Sequence, residues 1–434
     1  MYPDFQILLQ QLFGTHMPDW LSLIKTFGFI VALSFIGAAW TTTSELKRKE
    51  KQGFLSAEYI KVLVGKAPTF NNILWSAIGG FLLGFKVGGM YGHIQSIAPN
   101  PLGYVFSMDG NLLLGLLAAA AFSYMTYAEK KKQQLPQPEL RNVRVYPHQL
   151  MFEIALIAAA GGFAGAKIFN AFESWEDFMH DPLGSLFSSS GLTFYGGLIV
   201  ATIALYFYTR KHNIRFQYMC DAAAPGLMLA YGIGRLGCQL AGDGDWGIYN
   251  NAYISNPDGS LKLATTAADN SYALHMMGSQ PHAFFTGWSG FPQWLFGMNY
   301  PHNVNDEGMA IAGCVGRYCH VLPVSVFPTP IYEAVVCIGL FFVLWGIRKK
   351  VTRPLHLFGI YLILNGIERF FVELIRVNSK YNWGFIKPTQ AEIISVCMLL
   401  AGIGILLFYK KDNTPSIPII RVDKEDDTSQ PIAG

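Results

Sequence analysis

The apolar residues of this chain fall into blocks about 20 long, enough to cross a hydrocarbon core of ~30 Å at 1.5 Å of rise per residue. Nine segments qualify, at about 20–40, 70–90, 110–128, 149–170, 191–208, 217–238, 331–347, 356–375 and 390–409. The pattern predicts an all-α polytopic integral membrane protein. Basic residues gather after the odd-numbered segments: Lys47, Arg48, Lys49 and Lys51; Lys130, Lys131, Lys132, Arg141 and Arg144; Arg210, Lys211 and Arg215; Arg348, Lys349, Lys350 and Arg353; Lys410 and Lys411. The stretches 91–109 and 171–190 contain neither Lys nor Arg. By the positive-inside rule the basic set is cytoplasmic, which predicts an external N-terminus and a cytoplasmic C-terminus. An odd number of spans demands the same arrangement. Met1 to Pro18 carries Asp4 and no Lys or Arg, unlike a secretory leader, so the first segment is expected to remain as a span.

Six regions follow: 1–69, the first span and a cytoplasmic loop; 70–148, two further spans; 149–240, spans four to six; 241–330, an external cap; 331–411, spans seven to nine; and 412–434, a polar tail expected to be disordered. The stretch 241–330 is too long for a plain connection, which predicts a small folded cap. Gly79-Gly80-Phe81 through Lys86 resembles Gly161-Gly162-Phe163 through Lys167, consistent with a shared origin of spans two and four. Glycines at four-residue spacing (Gly80, Gly84, Gly88) equally mark close helix packing in lipid.

Composition agrees with this pattern. Of 434 residues, 51% are hydrophobic and 14% charged, well under the roughly 25% charged of a soluble domain. Six cysteines are too sparse for a disulfide framework. The net charge of +3 is too small to suggest a nucleic-acid partner.

Ionisable groups inside apolar spans cost about 2.5–3.5 kcal/mol each and therefore point to function. Span eight holds Asn365, Glu368, Arg369, Glu373 and Arg376, of which Arg369, Glu373 and Arg376 share one helical face. That face is either a self-satisfied ion-pair ladder or an anion site, since guanidinium grips phosphate with two prongs. Two arginines against one glutamate on the face favour the anion site. Span six ends in Tyr231-Gly-Ile-Gly-Arg235-Leu-Gly-Cys238 and continues through Asp243, Asp245 and Trp246 to Gly247. Gly232, Gly234 and Gly237 imitate a dinucleotide fingerprint, but no strand precedes them, so no such cofactor is expected. Arg235 supplies charge there, and Asp243 and Asp245 either act as a base or solvate the turn. Cys314 and Cys319 lie in the cap, where an oxidising compartment permits a disulfide. The cap histidines match no familiar metal-ligand spacing, and no metal site is expected.

Taken together these motifs resemble the prolipoprotein diacylglyceryl transferase family of bacterial inner membranes. Gly234-Arg235-Leu236-Gly237 through Asp245-Trp246-Gly247 is similar to the family's G-R-[IL]-G signature, and Tyr195-Gly196-Gly197-Leu198-Ile199 to its H-G-G-L-I motif. Phe327-Pro328-Thr329-Pro330-Ile331-Tyr332-Glu333 resembles H-P-[ST]-Q-L-Y-E, and Arg369-Phe-Phe-Val-Glu373-Leu-Ile-Arg376 resembles its late arginine helix. Gly161-Gly162-Phe-Ala-Gly165-Ala166-Lys167 looks like its G-G-x-x-G-A-R segment. The chain departs from the pattern at Tyr195 and Phe327, where histidines are usual, at Phe27 for a tyrosine and at Cys238 for an asparagine. It also adds two spans after the first.

The resemblance implies transfer of the sn-1,2-diacylglyceryl group from phosphatidylglycerol to the lipobox cysteine of a prolipoprotein, without metal or cofactor. Arg235, Arg369, Tyr195, Asp243, Asp245 and Glu373 are the implied catalytic set. Gly196, Gly197, Gly234, Gly237, Gly247, Tyr332, Glu333 and Arg376 are the implied substrate contacts. The partners it implies are phosphatidylglycerol, membrane lipid and the signal-peptide region of prolipoproteins, the protein acting as a monomer in the bacterial inner membrane. The replaced motif residues also admit a diverged member with another donor or acceptor lipid. Buried charges admit a transporter, which substrate flux without a covalent product would reveal.

Overall fold

The computed structural model describes residues 1–409 other than positions 92, 98–100, 188–192, 379, 383, 385 and 386. The tail expected to be disordered, 412–434, lies outside the described residues. Among those residues nine helices of 18 or more residues stand where the nine apolar blocks predict them: α1 (Thr26–Lys51), α2 (Phe70–Met90), α3 (Leu112–Lys132), α4 (Met151–Glu173), α5 (Phe194–Lys211), α6 (Phe216–Ala241), α7 (Thr329–Ile347), α8 (His356–Glu373) and α9 (Gln390–Phe408). Six of them (α1, α2, α3, α4, α7 and α9) are long and apolar enough to cross a membrane, α4 with the turn that leads into it. The other three carry much of the polar chemistry, and two of them, α6 and α8, build the site described below.

The chain divides into two compact units. Among the described residues one joins Met1–Glu45 to those from Gln217, and the other is Leu46–Phe216. In the first unit α6, α7 and α8 pack around Ala224, Met228, Cys337, Phe341, Leu344 and Leu357, all buried. The start of α8 is capped from another helix: the buried Asp221 carboxylate of α6 accepts the Leu355 and Phe358 amides, each at 3.0 Å. Helices α8 and α9 approach closely at glycines, where a Cβ on Gly366 would lie 2.8 Å from the Ser395 carbonyl. At the basic end, Glu45 of α1 accepts Arg348 Nε at 2.6 Å.

The expectation of an all-α chain needs amending outside the long helices. The stretch 241–330 folds around a small sheet in which β3 (Tyr249–Ser255) pairs antiparallel with β4 (Leu261–Leu263), parallel with β5 (His282–Ala283) and antiparallel with β8 (Val324–Val326). A short antiparallel pair, β6 (Met309–Ala310) with β7 (His320–Val321), and the helix Ala267–Met277 complete it. Inward positions of β3 and β8 are almost wholly buried, and Asn250 spans the core by donating to the Phe285 and Phe296 carbonyls at 2.8 and 2.9 Å. The disulfide that the sequence leaves open is formed between Cys314 and Cys319, with Cα atoms 5.7 Å apart.

In the second unit, α2 packs against α3 and α4 against α5. Each pair closes over glycines: a Cβ on Gly80 would lie 2.8 Å from the Ala118 carbonyl, and one on Gly197 2.7 Å from the Gly162 carbonyl. The strands β1 (Glu58–Val64) and β2 (Glu139–Val145) form an antiparallel ribbon. Spaced β-branched and apolar residues among charged ones favour an exposed ribbon over helix here.

Candidate active site

Glu333 is the hub of the site, completely buried in the first turn and a half of α7. Arg235, near the end of α6, places Nε 2.5 Å from Glu333 Oε2, and Tyr231, one helical turn earlier, donates to the same oxygen at 2.6 Å. Arg376, just past α8, places Nη1 3.1 Å from Glu333 Oε1. Arg369 approaches that oxygen at 3.9 Å and pairs with Glu373 at 3.1 Å across one turn of α8. Three guanidiniums, two from helices and Arg376 from the turn after α8 rather than the shared helical face expected of it, thus converge on one carboxylate of α7.

Asp245 closes the ring from the turn after α6. One of its oxygens contacts Arg235 Nη1, and the other lies 2.5 Å from Arg376 Nη2. The turn is held by backbone: Thr329 Oγ1 donates to the Asp245 carbonyl at 2.9 Å, and Ile248 N donates to the Ile375 carbonyl at 2.8 Å. Gly247 is required at the crossing, since a Cβ there would sit 2.7 Å from the Ile375 carbonyl and 2.8 Å from Thr329 Cγ2. Burial works to raise the Asp245 carboxyl, but Arg235 and Arg376 outweigh it and hold the group below the usual carboxylate value. Asp243 moves the other way. Burial pushes its carboxyl up, and the Cys238 thiol beside it offsets this only in part.

The charge count revises one expectation. The surplus positive charge read from the α8 face is absent, because Arg235, Arg369 and Arg376 are matched by Asp245, Glu333 and Glu373. Glu368 adds a fourth acid, buried, with neither oxygen in a well-formed hydrogen bond and the Cys337 thiol as a weak donor beside it. Carboxylates from α7 and the turn after α6 supply the balance, and local helix periodicity carries no sign of them.

The remaining predicted residues divide by what they touch. Gly237 packs on α1, where a Cβ would lie 3.3 Å from Phe27 and Ile30, while Gly234 opens onto free space. The Tyr332 hydroxyl donates to the Leu295 carbonyl of the 241–330 stretch rather than entering the arginine cluster. Glu373 also accepts Asn378 Nδ2 at 2.6 Å. Tyr195, Gly196 and Gly197 open α5 in the other unit, where both glycines face α4: Gly165 O would lie 2.6 Å from a Cβ on Gly196. Tyr231 is the participant that sequence reasoning missed. Its signal was available, a phenol one turn from Arg235 on the same helix. Cys238, Asp243 and Asp245 present ligand-type atoms within 4.8 Å of one another, but both Asp245 oxygens already face guanidiniums.

A family model for prolipoprotein diacylglyceryl transferase matches residues 105–408. Among curated relatives, the phosphatidylglycerol–prolipoprotein diacylglyceryl transferase of Chlorobaculum tepidum is 27% identical over 330 residues, 72% of this chain and 90% of that protein. The enzyme of the same name from Leptospira interrogans is 24% identical over 360 residues, 70% of this chain and 90% of its own length. That from Dehalococcoides mccartyi reaches 38% over a shorter stretch of 122 residues, 26% of this chain and 46% of its own. The matched region contains the whole arginine–carboxylate cluster, and this chain belongs to the prolipoprotein diacylglyceryl transferase family.

Proposed function

We propose that the protein transfers the sn-1,2-diacylglyceryl group of phosphatidylglycerol to the lipobox cysteine of a prolipoprotein. The thiol loses its proton, the thiolate sulfur bonds to the glyceryl carbon that carried phosphate, and the carbon–oxygen bond breaks to release glycerol phosphate. The observation that carries this reading is the convergence of Arg235, Arg369 and Arg376 on buried carboxylates, in a chain whose relatives bear that activity in their names. A departing phosphate gains most from fixed positive charge in a water-poor site. With the guanidiniums already oriented by Glu333 and Asp245, an entering phosphate meets a preorganised cluster and competes with carboxylates for its prongs.

Of the acids present, Asp243 is the proton acceptor we assign. Asp245 is held ionised by two arginines and is correspondingly weak as a base, and Glu373 is engaged by Arg369 and Asn378. Asp243, raised by burial beside the same turn, retains proton affinity nearer neutral pH. Tyr195 orients substrate, since a phenol of pKa ~10 is a poor base at neutral pH.

We further place nine spans in the bacterial inner membrane, with the N-terminus and cap outside and the C-terminus inside. The lipid and the signal-peptide helix then enter sideways at the outer half of the bilayer, and the protein works as a monomer. The test is a mass-shift assay on a lipobox peptide with the purified protein in phosphatidylglycerol micelles. A diacylglyceryl gain on the cysteine, absent from a Cys→Ser peptide, is the expected result. No gain from folded protein would overturn the reading.

A further inference from the structure

The second unit contains the same module twice. A shift of 81 positions carries β1 (Glu58–Val64) onto β2 (Glu139–Val145) with both ends matched. The same shift carries α2 onto α4, α3 onto α5, and the short helix Pro101–Phe106 onto Pro182–Phe187, each to within two residues at either end. One spacing fits all four pairs without insertion or deletion. The Gly-Gly-Phe triplets that open the resemblance between spans two and four lie 82 apart, one position off this spacing, but single residues obey it: Gly80 falls on Gly161, Gly84 on Gly165 and Lys86 on Lys167.

The equivalent residues make equivalent contacts. Lys86 Nζ donates to the Tyr104 carbonyl at 2.8 Å, and Lys167 Nζ donates to the Ser185 carbonyl at 3.2 Å. Tyr104 and Ser185 are the fourth residues of Pro101-Leu-Gly-Tyr104 and Pro182-Leu-Gly-Ser185, so each lysine ties the same point of its outer connection to its own helix. Gly84 and its equivalent Gly165 each meet a carbonyl at the start of the paired helix too closely for any Cβ, Leu114 in the first copy and, one position further along, Gly196 in the second.

The ribbon shows how the copies are related. Glu58 pairs with Val145, Val64 with Glu139, and Lys61 with Asn142. Under the 81-residue shift the first two pairs exchange and the third maps onto itself, which is the signature of a two-fold axis through Lys61 and Asn142. At the other end of the module the short helices Pro101–Phe106 and Pro182–Phe187, themselves equivalents, pack on each other. The axis therefore runs from the ribbon to the short helices, along the membrane normal in the topology proposed above, as in parallel repeats.

The copies differ where chemistry is expected. Tyr195 of the second copy corresponds to Leu114 of the first, while Gly196 corresponds to Gly115. We infer that residues 58–132 are a duplicate of the 139–213 module that has kept the frame and lost the phenol, and that it acts as a built-in partner steadying the connection that leads into Tyr195. The duplication stands on geometry alone, whereas the positioning role rests on the function proposed above.

Two readouts separate them. In a full-length chain with Cys220, Cys238, Cys337 and Cys397 replaced by Ala and a protease site at 133–138, the pairs Glu58→Cys/Val145→Cys and Val64→Cys/Glu139→Cys should crosslink to similar extents. Crosslinking of one pair without the other, or of neither, overturns the two-fold. For the positioning role, Lys86→Met should lower kcat on a lipobox peptide by roughly 10- to 100-fold, the scale of a small misplacement at a reacting centre. KM for phosphatidylglycerol and the yield of folded protein should hold, and Lys86→Arg should restore the rate. Leu114→Tyr should leave the rate unchanged. An unaltered kcat in Lys86→Met, or a changed one in Leu114→Tyr, overturns the role assigned to the first copy, and the crosslinks still report the duplication if the parent shows no transfer at all.

Discussion

At the residue scale the site is a problem of charge balance, and Glu333 is its centre. A fully buried carboxylate is tolerated because Arg235, Arg376 and the Tyr231 hydroxyl surround it. Arg235→Ala or Arg369→Ala should each lower the rate on the order of 10²–10³, the usual loss for one preorganised charge donor. Membrane insertion should be intact, and full activity in either variant would remove the phosphate-site argument. Arg235→Lys is not a mild change, since an ammonium cannot bridge Glu333 and Asp245 with separate prongs. Asp243 carries a pH prediction. Its carboxyl lies above the ordinary value, so kcat/KM should rise with pH through a group titrating higher than a solvated aspartate. Asp243→Asn should abolish that limb, and a profile identical to the parent would exclude Asp243 as the base.

Elements bring these residues together through devices that differ between the long helices and the 241–330 stretch. Close approach depends on glycine at the backbone crossing beside Ile375, so Gly247→Ala should shift the turn that carries Asp245 and depress activity more than folding. In the cap, helix Ala267–Met277 begins with a capping box in which Asp269 accepts Thr266 while binding Lys262. These contacts, led by the Lys262 and Thr266 hydrogen bonds, hold the Asp269 carboxyl down to about 2. A carboxyl depressed from its ordinary 3.8 contributes stability above that value and loses it as pH falls toward 2. Acid unfolding of the cap, followed by protease sensitivity, should therefore steepen between those limits, and Asp269→Asn should flatten it.

The whole molecule is two compact units, one holding the arginine cluster and the cap, the other holding the repeated module. The proposed topology puts the cap outside the cell membrane. A reporter active only in the cytoplasm, fused at residue 270, should stay silent, and a strong signal there would invert the arrangement.

The sequence by itself determined the long helices, because a continuous apolar block of about 20 residues has few other stable fates and its signal is local. It also determined which helices carry Arg235 and Arg369, since charge inside an apolar run is conspicuous, but it put Arg376 on the same helix, which in fact ends at Glu373. The cap sheet was not legible: its strands are short, and their pairings join segments as far apart as β3 and β8. Nor was the balance of the site, where Glu333 meets Arg235 across 98 positions and Asp245 meets Arg376 across 131. Ion pairs of that separation depend on helix packing, which periodicity along one helix does not encode. The module repeat was faint for a related reason. Lipid-facing positions accept almost any apolar residue, so the identities that remain are scattered, the glycines, the lysine and the Pro-Leu-Gly start of the short helices among them, and the folded ribbon and helix boundaries are what make the two copies evident.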